Sequence, residues 1–233
     1  MADGNSVEQH SRRYAVLLVL LCVALAIESI NARGAERFLS DTFRTVLGVA
    51  IWFVVFKRRR ERVAMAAVLG AASVFNWARY VVPENLDHAL SLVEQMTLAV
   101  FLWSAVYVIL RDLFRAPTTG AENVLGAICG YLIAGDAWAR VNAVAYLLVP
   151  SAFSINPEVA ALLPGWHGRV ALFTYYAFAQ VLTIGYSDVT PIRAPATTLS
   201  LFAALFGVFY TAVVVSVFVG LAQNGKRPSP DGE

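Results

Sequence analysis

Charge is scarce in this sequence. Of its 233 residues, 15% are charged and 58% hydrophobic, and the mean hydropathy is +0.63. A soluble domain of this length rarely carries so few charges. The scarcity is also uneven: no charged residue stands between Ala194 and Gly225, between Gln95 and Leu110, or between Val63 and Ala78. Those runs approach or exceed the roughly 20 apolar residues needed to cross about 30 Å of hydrocarbon, so the chain reads as an all-α membrane protein. Cysteine is nearly absent. Cys22 and Cys129 lie inside apolar runs, which argues against a disulfide framework or a thiolate metal site and leaves two small buried side chains. The three histidines, His10, His88 and His167, are too scattered to hold a metal. Zinc-protease helices, phosphate-binding glycine loops and nucleophile–base pairs at useful spacing are all missing, so an enzyme is not expected. No internal repeat is evident.

What is present is a series of six apolar segments, at about 14–30, 42–56, 63–82, 88–110, 122–149 and 196–222. A seventh, at about 168–182, is short and aromatic and reads as a re-entrant helix. The second segment is the weakest, because Arg44 lies within it and would have to snorkel to the interface. The first has an apolar core longer than a signal peptide's and no small-residue cleavage site after Glu28-Ser29-Ile30-Asn31, so it is expected to remain.

Basic residues fix the expected orientation. Arg12 and Arg13 precede the first segment, Lys57-Arg58-Arg59-Arg60-Glu61-Arg62 follows the second, Arg111 and Arg115 follow the fourth, and Lys226 and Arg227 follow the sixth. Six crossings place all four clusters on one side, which the positive-inside rule makes cytoplasmic together with both termini. The basic run then needs no nucleic acid to explain it. The polar stretch from Asn224 to Glu233 reads as a disordered tail.

One stretch carries chemistry: Leu182-Thr183-Ile184-Gly185-Tyr186-Ser187-Asp188-Val189-Thr190-Pro191. A dehydrated cation needs oxygens to replace its water shell. Successive backbone carbonyls supply them only if the peptides alternate in conformation, which glycine tolerates and β-branched residues resist. The stretch resembles the T-x-G-Y-G-D signature of the potassium-channel superfamily, whose filter is a ring of such carbonyls. Phe173-Thr174-Tyr175-Tyr176-Ala177-Phe178-Ala179-Gln180-Val181 precedes it. Read as a short helix, this segment would aim the negative end of its dipole at the conduction axis.

The resemblance covers about the last 110 residues. It is strongest with prokaryotic channels whose pore module follows extra helices, and Gly126-Ala127-Ile128-Cys129-Gly130-Tyr131-Leu132-Ile133-Ala134-Gly135-Asp136-Ala137-Trp138-Ala139 is similar to their outer pore helix. It implies six transmembrane helices, with a re-entrant pore helix and filter loop between the fifth and sixth. It also implies a homotetramer in the lipid bilayer of the plasma membrane, a bacterial inner membrane. The division is a cytoplasmic tail (1–13), a four-helix unit (14–115), a pore unit (116–222) and a final tail (223–233). Potassium would bind at Thr183, Ile184, Gly185 and Tyr186, with no other cofactor. The fourth helix departs from voltage-gated relatives. Between His88 and Leu110 it carries no arginine or lysine, only Glu94, and so cannot draw gating work from the field.

The filter itself departs at Ser187, which stands where the second filter glycine is usual; a left-handed non-glycine residue there would cost about 1–2 kcal/mol. That leaves two readings open, a potassium-selective channel and a weakly selective monovalent cation channel. A third is a non-conducting modulatory subunit that keeps the pore fold. Around the filter, Asp188 would concentrate cations at the outer mouth. Tyr175 and Tyr176 occupy the aromatic cuff position, where one hydroxyl can hold Asp188 or both rings can simply pack. Gln180 can bond the loop behind it or face a neighbouring subunit.

Further polar and small residues carry expectations. Asp136 and Arg140, four apart, share a helix face and can pair. Glu28 and Arg79 fall near outer helix ends and can also pair, and Glu94 has no partner that spacing names. Gly207 is either a hinge or a site of close packing. Val213, Val214, Val215 and Val217 are either a hydrophobic gate or lipid-facing.

Overall fold

The computed structural model describes residues 2–31, 37–81, 86–115, 121–163, 165–185 and 188–224. Its helices are α1 (Ala2–Asn31), α2 (Arg37–Val55), α3 (Arg59–Ala78), α4 (Asp87–Arg115), α5 (Ala121–Leu148), α6 (Pro157–Leu162), α7 (Gly165–Val181) and α8 (Ala194–Asn224). Two short strands, β1 (Phe153–Ile155) and β2 (Val189–Pro191), complete it. Each expected apolar segment lies in one long helix, and the seventh is α7. Helix α1 starts well before the apolar segment, so residues 2–13 are helical.

Among the described residues, three helices are long and apolar enough to cross a membrane: 87–115, 122–148 and 194–219. The apolar part of α1, residues 13–27, is shorter. Helix α7 has 17 residues, which at 1.5 Å each is about 25 Å, short of a hydrocarbon core of about 30 Å.

Helix α5 is the hub. It packs on α4 most extensively, then on α7, α1 and α8, while α3 lies against α4 and α2 against α1. Leu17, Ile51, Phe56, Phe101, Val106, Cys129 and Ile133 form one core that joins α1, α2, α4 and α5. Trp103 of α4, Trp138 of α5 and Phe206 of α8 interlock edge to face, with centroids 5.4 Å apart for Trp103–Trp138 and for Trp103–Phe206. Small residues permit the close approaches. A methyl group on Gly135 would lie 2.5 Å from the Phe178 ring, and one on Gly207 would collide with the carbonyl oxygen of Val181.

A second core, of Ala143, Ala152, Phe153, Leu172, Phe173, Tyr176, Val189 and Ala196, lies beside the segments flanking α7. Here β1 and β2 pair antiparallel, with Phe153 opposite Pro191 and Ile155 opposite Val189. Sequence analysis anticipated no strand. The segment before α7 is ordered by Asn156, whose side chain accepts from the amide of Glu158 and caps α6, with Pro157 in the first turn.

Candidate functional site

Helix α7 is held on its buried face by aromatic packing. Phe173 sits 5.2 Å from both Tyr146 and Phe153, ring to ring. At its C-terminal end the Val181 carbonyl accepts a hydrogen bond from the Tyr131 hydroxyl at 3.0 Å. Tyr131 stacks at 5.2 Å on Tyr210, whose own hydroxyl donates to the Ala127 carbonyl at 2.7 Å. Helices α5 and α8 therefore grip the last turn of α7 from two sides.

The chain then folds back on that turn. Leu182 N–H donates to Phe178 O, Thr183 N–H to Gln180 O, and both Ile184 and Gly185 N–H groups reach Ala179 O, at 2.9, 2.9, 2.9 and 3.2 Å. Every amide from 182 to 185 is thus turned toward the helix. The Thr183 hydroxyl donates to Leu182 O at 2.7 Å. Among the described residues no donor meets the carbonyl oxygens of Thr183, Ile184 or Gly185. Thr183 (φ 56°) and Gly185 (φ 81°) are left-handed, and Ile184 between them is not. Gly185 adopts this freely, but Thr183 is β-branched and strained. Tyr186 and Ser187 lie outside the described residues, and with them the glycine replacement.

Beyond the loop, Asp188 is tied down by Asn156. Its carbonyl accepts the Asn156 amide at 2.9 Å, and its carboxylate accepts the Asn156 side chain at 3.2 Å. Of the two cuff tyrosines, Tyr176 is fully buried and its hydroxyl bonds Ser200 on α8, because helical phase points it at that helix, whereas Tyr175 is exposed. Gln180 is half-buried, and its carbonyl, rather than its side chain, makes the described bond to the loop. Gly207 lies against α7, as its contact with Val181 requires. Val213 and Val215 are exposed, and Val214 and Val217 half-buried.

The buried charges group near the α4–α5 seam. Arg140 donates to Asp136 at 2.6 Å and to Gln95 Oε1 at 3.4 Å. Arg79 bonds Asp87 at 2.7 Å and Glu94 at 3.3 Å. Arg79 is therefore the partner that sequence reasoning lacked for Glu94, which is 2% exposed. The Glu28 side chain, expected near Arg79, lies outside the described residues. Asp41 accepts from the Tyr80 hydroxyl at 2.7 Å. Unpaired, each buried ion would cost several kcal/mol.

Residues 165–224 match the family model described as an ion channel. The matched segment, similar to an ion channel domain, comprises α7, the loop, β2 and α8. No curated protein and no solved structure matches the chain.

Proposed function

We propose that the ion channel domain conducts potassium passively, with four copies of the chain surrounding one pathway in the plasma membrane and both termini in the cytoplasm. The observation that carries this reading is the loop at 183–185. Its amides are spent on α7, its carbonyls meet no donor among the described residues, and its backbone alternates in handedness. Oxygens left in this way can replace a cation's hydration shell. Thr183, Ile184, Gly185 and Tyr186 would hold the ion, with Ser187 continuing the filter and Asp188 at the mouth. A tetramer is supported by α8. This helix carries no charge from Ala194 to Asn224, yet Leu201, Phe202, Val208 and Phe209 are all more than half exposed in the single chain. Copies of itself would cover part of that surface. The four helices α1–α4 would cross as well and hold the outer pore helix α5 without sensing voltage.

Reconstitution of the chain in liposomes tests the reading. Potassium flux blocked by barium, with a bi-ionic reversal potential far from zero against sodium, is the expected result. Ser187 favours a second reading, a channel that also passes sodium, for which the reversal potential would stay near zero. No flux at all would leave a modulatory subunit and sink both.

A further inference from the structure

A groove of about 740 Å³ opens on the outer face between α3 and α4. Its wall is apolar over about two helical turns, or roughly 11 Å, formed by Ala64, Met65, Val100, Trp103 and Tyr107. Val100 and Tyr107 are 56% and 65% exposed, so no other part of the chain covers them.

One end is charged. Arg60 and Glu61 lie at the mouth, and Arg111 of α4 bonds Glu61 at 2.5 Å, which sets the N-terminal end of α3 level with the C-terminal end of α4. Arg111 is shared between Glu61 and Asp112, the latter at 3.1 Å, and Arg58 also reaches Glu61 at 3.9 Å. Lys57 lies 3.8 Å from Glu122, and Arg62 covers Trp52 at 5.0 Å. Among the described residues no carboxylate pairs with Arg59 or Arg60, and both are exposed. Among the described residues the mouth therefore holds one guanidinium without a carboxylate partner, Arg60, beside an apolar channel.

We infer that this groove binds one anionic phospholipid, with an acyl chain along α4 between Ala64 and Val100 and the headgroup phosphate on Arg60. Guanidinium groups match phosphate oxygens bidentately, and basic pockets between membrane helices select anionic headgroups. Tyr107, one turn inside Arg111, sits where an amphipathic ring meets the glycerol region. The site requires α4 to cross the bilayer and does not require the pore to conduct.

Trp103 provides the readout. The full chain in mixed micelles is titrated with phosphatidylglycerol carrying brominated acyl chains, with phosphatidylcholine carrying the same chains, and with soluble glycerol phosphate. Quenching is assigned to the groove as the part lost in Trp103→Phe. The expected result is half-saturation at a several-fold lower mole fraction for phosphatidylglycerol. Arg60→Gln, at an exposed position, would reduce that preference about fivefold, and Arg59→Gln, outside the groove lining, would leave it nearly unchanged. Ala64→Phe would fill the channel and remove quenching by both lipids. Equal half-saturation by the two lipids overturns the inference. So does full competition by glycerol phosphate, which would leave the groove without a role. A cysteine cross-link between two copies carrying Val100→Cys that lipid does not prevent would assign the face to a second chain, against the inference. Flux measured on the same preparation separates the readings, since loss of flux with intact lipid preference speaks only against conduction.

Discussion

Gly207→Ala is the most informative single change, because the structure specifies what the added methyl meets. The obstacle is the backbone oxygen of Val181, which already accepts the Tyr131 hydroxyl and immediately precedes the loop. A flexible side chain could move aside; a carbonyl in the last turn of α7 moves only with that turn. Overpacking of this kind costs about 1–3 kcal/mol, and the upper end applies where backbone must shift. Alanine in a helix interior returns about 1 kcal/mol over glycine, leaving a net loss of about 2 kcal/mol. For a chain of this size that lowers the melting temperature by roughly 4–8 °C. Gly70 of α3 is the internal control. A methyl there meets nothing within 4 Å, so Gly70→Ala should raise the melting temperature by roughly 2–4 °C through propensity alone. Both are read by thermal unfolding in detergent and by flux in liposomes. Gly207→Ala should lose stability and flux together, through displacement of the loop. A hinge would behave differently, with altered flux at unchanged stability. Gly207→Ala melting at or above the native temperature would refute the packing argument.

Arg79→Leu should cost about 3–5 kcal/mol by stranding Glu94 in the core, and adding Glu94→Leu should restore most of it; thermal melts of the single and double variants check this. Asn156→Ala should cost about 1 kcal/mol through the lost α6 cap and, by freeing Asp188, should change single-channel conductance, whereas Tyr176→Phe should cost about 1 kcal/mol without touching Asp188. Glu61→Gln reports on the α3–α4 mouth. Hydrogen bonds from Arg111 hold the Glu61 carboxyl below its usual range, so its contribution is present at neutral pH and is lost as pH falls through the depressed folded value. The stability gap between Glu61→Gln and the native chain should therefore be widest near neutrality and close below about pH 4, as seen in melts across pH.

The long helices were legible because the charge-free runs that mark them are a direct record of their surroundings. Helix α7 was legible for the same reason, and its length told it apart from a span. The ribbon of β1 and β2 was not, since Phe153-Ser154-Ile155 is too short to show a period of two. Its neighbour could have been read: Asn156-Pro157 followed by Glu158 is a helix-start signal. The Asp188–Asn156 contact joins residues 32 apart, which spacing cannot suggest. The partner of Glu94 was hidden for a simpler reason: Arg79 lies at the end of the preceding helix, and only the packing of α3 on α4 brings it to Asp87 and Glu94. Tyr176 shows the limit of pattern reasoning. Which of two adjacent tyrosines faces Ser200 depends on the phase of α7, and only the packing of α8 decides that.

The pairing of β1 with β2 has a consequence for chain entropy. It clasps the ends of an excursion of roughly 33 residues that contains α6, α7 and the loop, so the cost of closing that excursion, about 3 kcal/mol, falls on the ribbon rather than on the membrane helices. Doubling the length of the excursion would add only about 0.6 kcal/mol. Extra residues within the excursion therefore reach the carbonyls as a small entropic cost rather than as strain carried by the long helices.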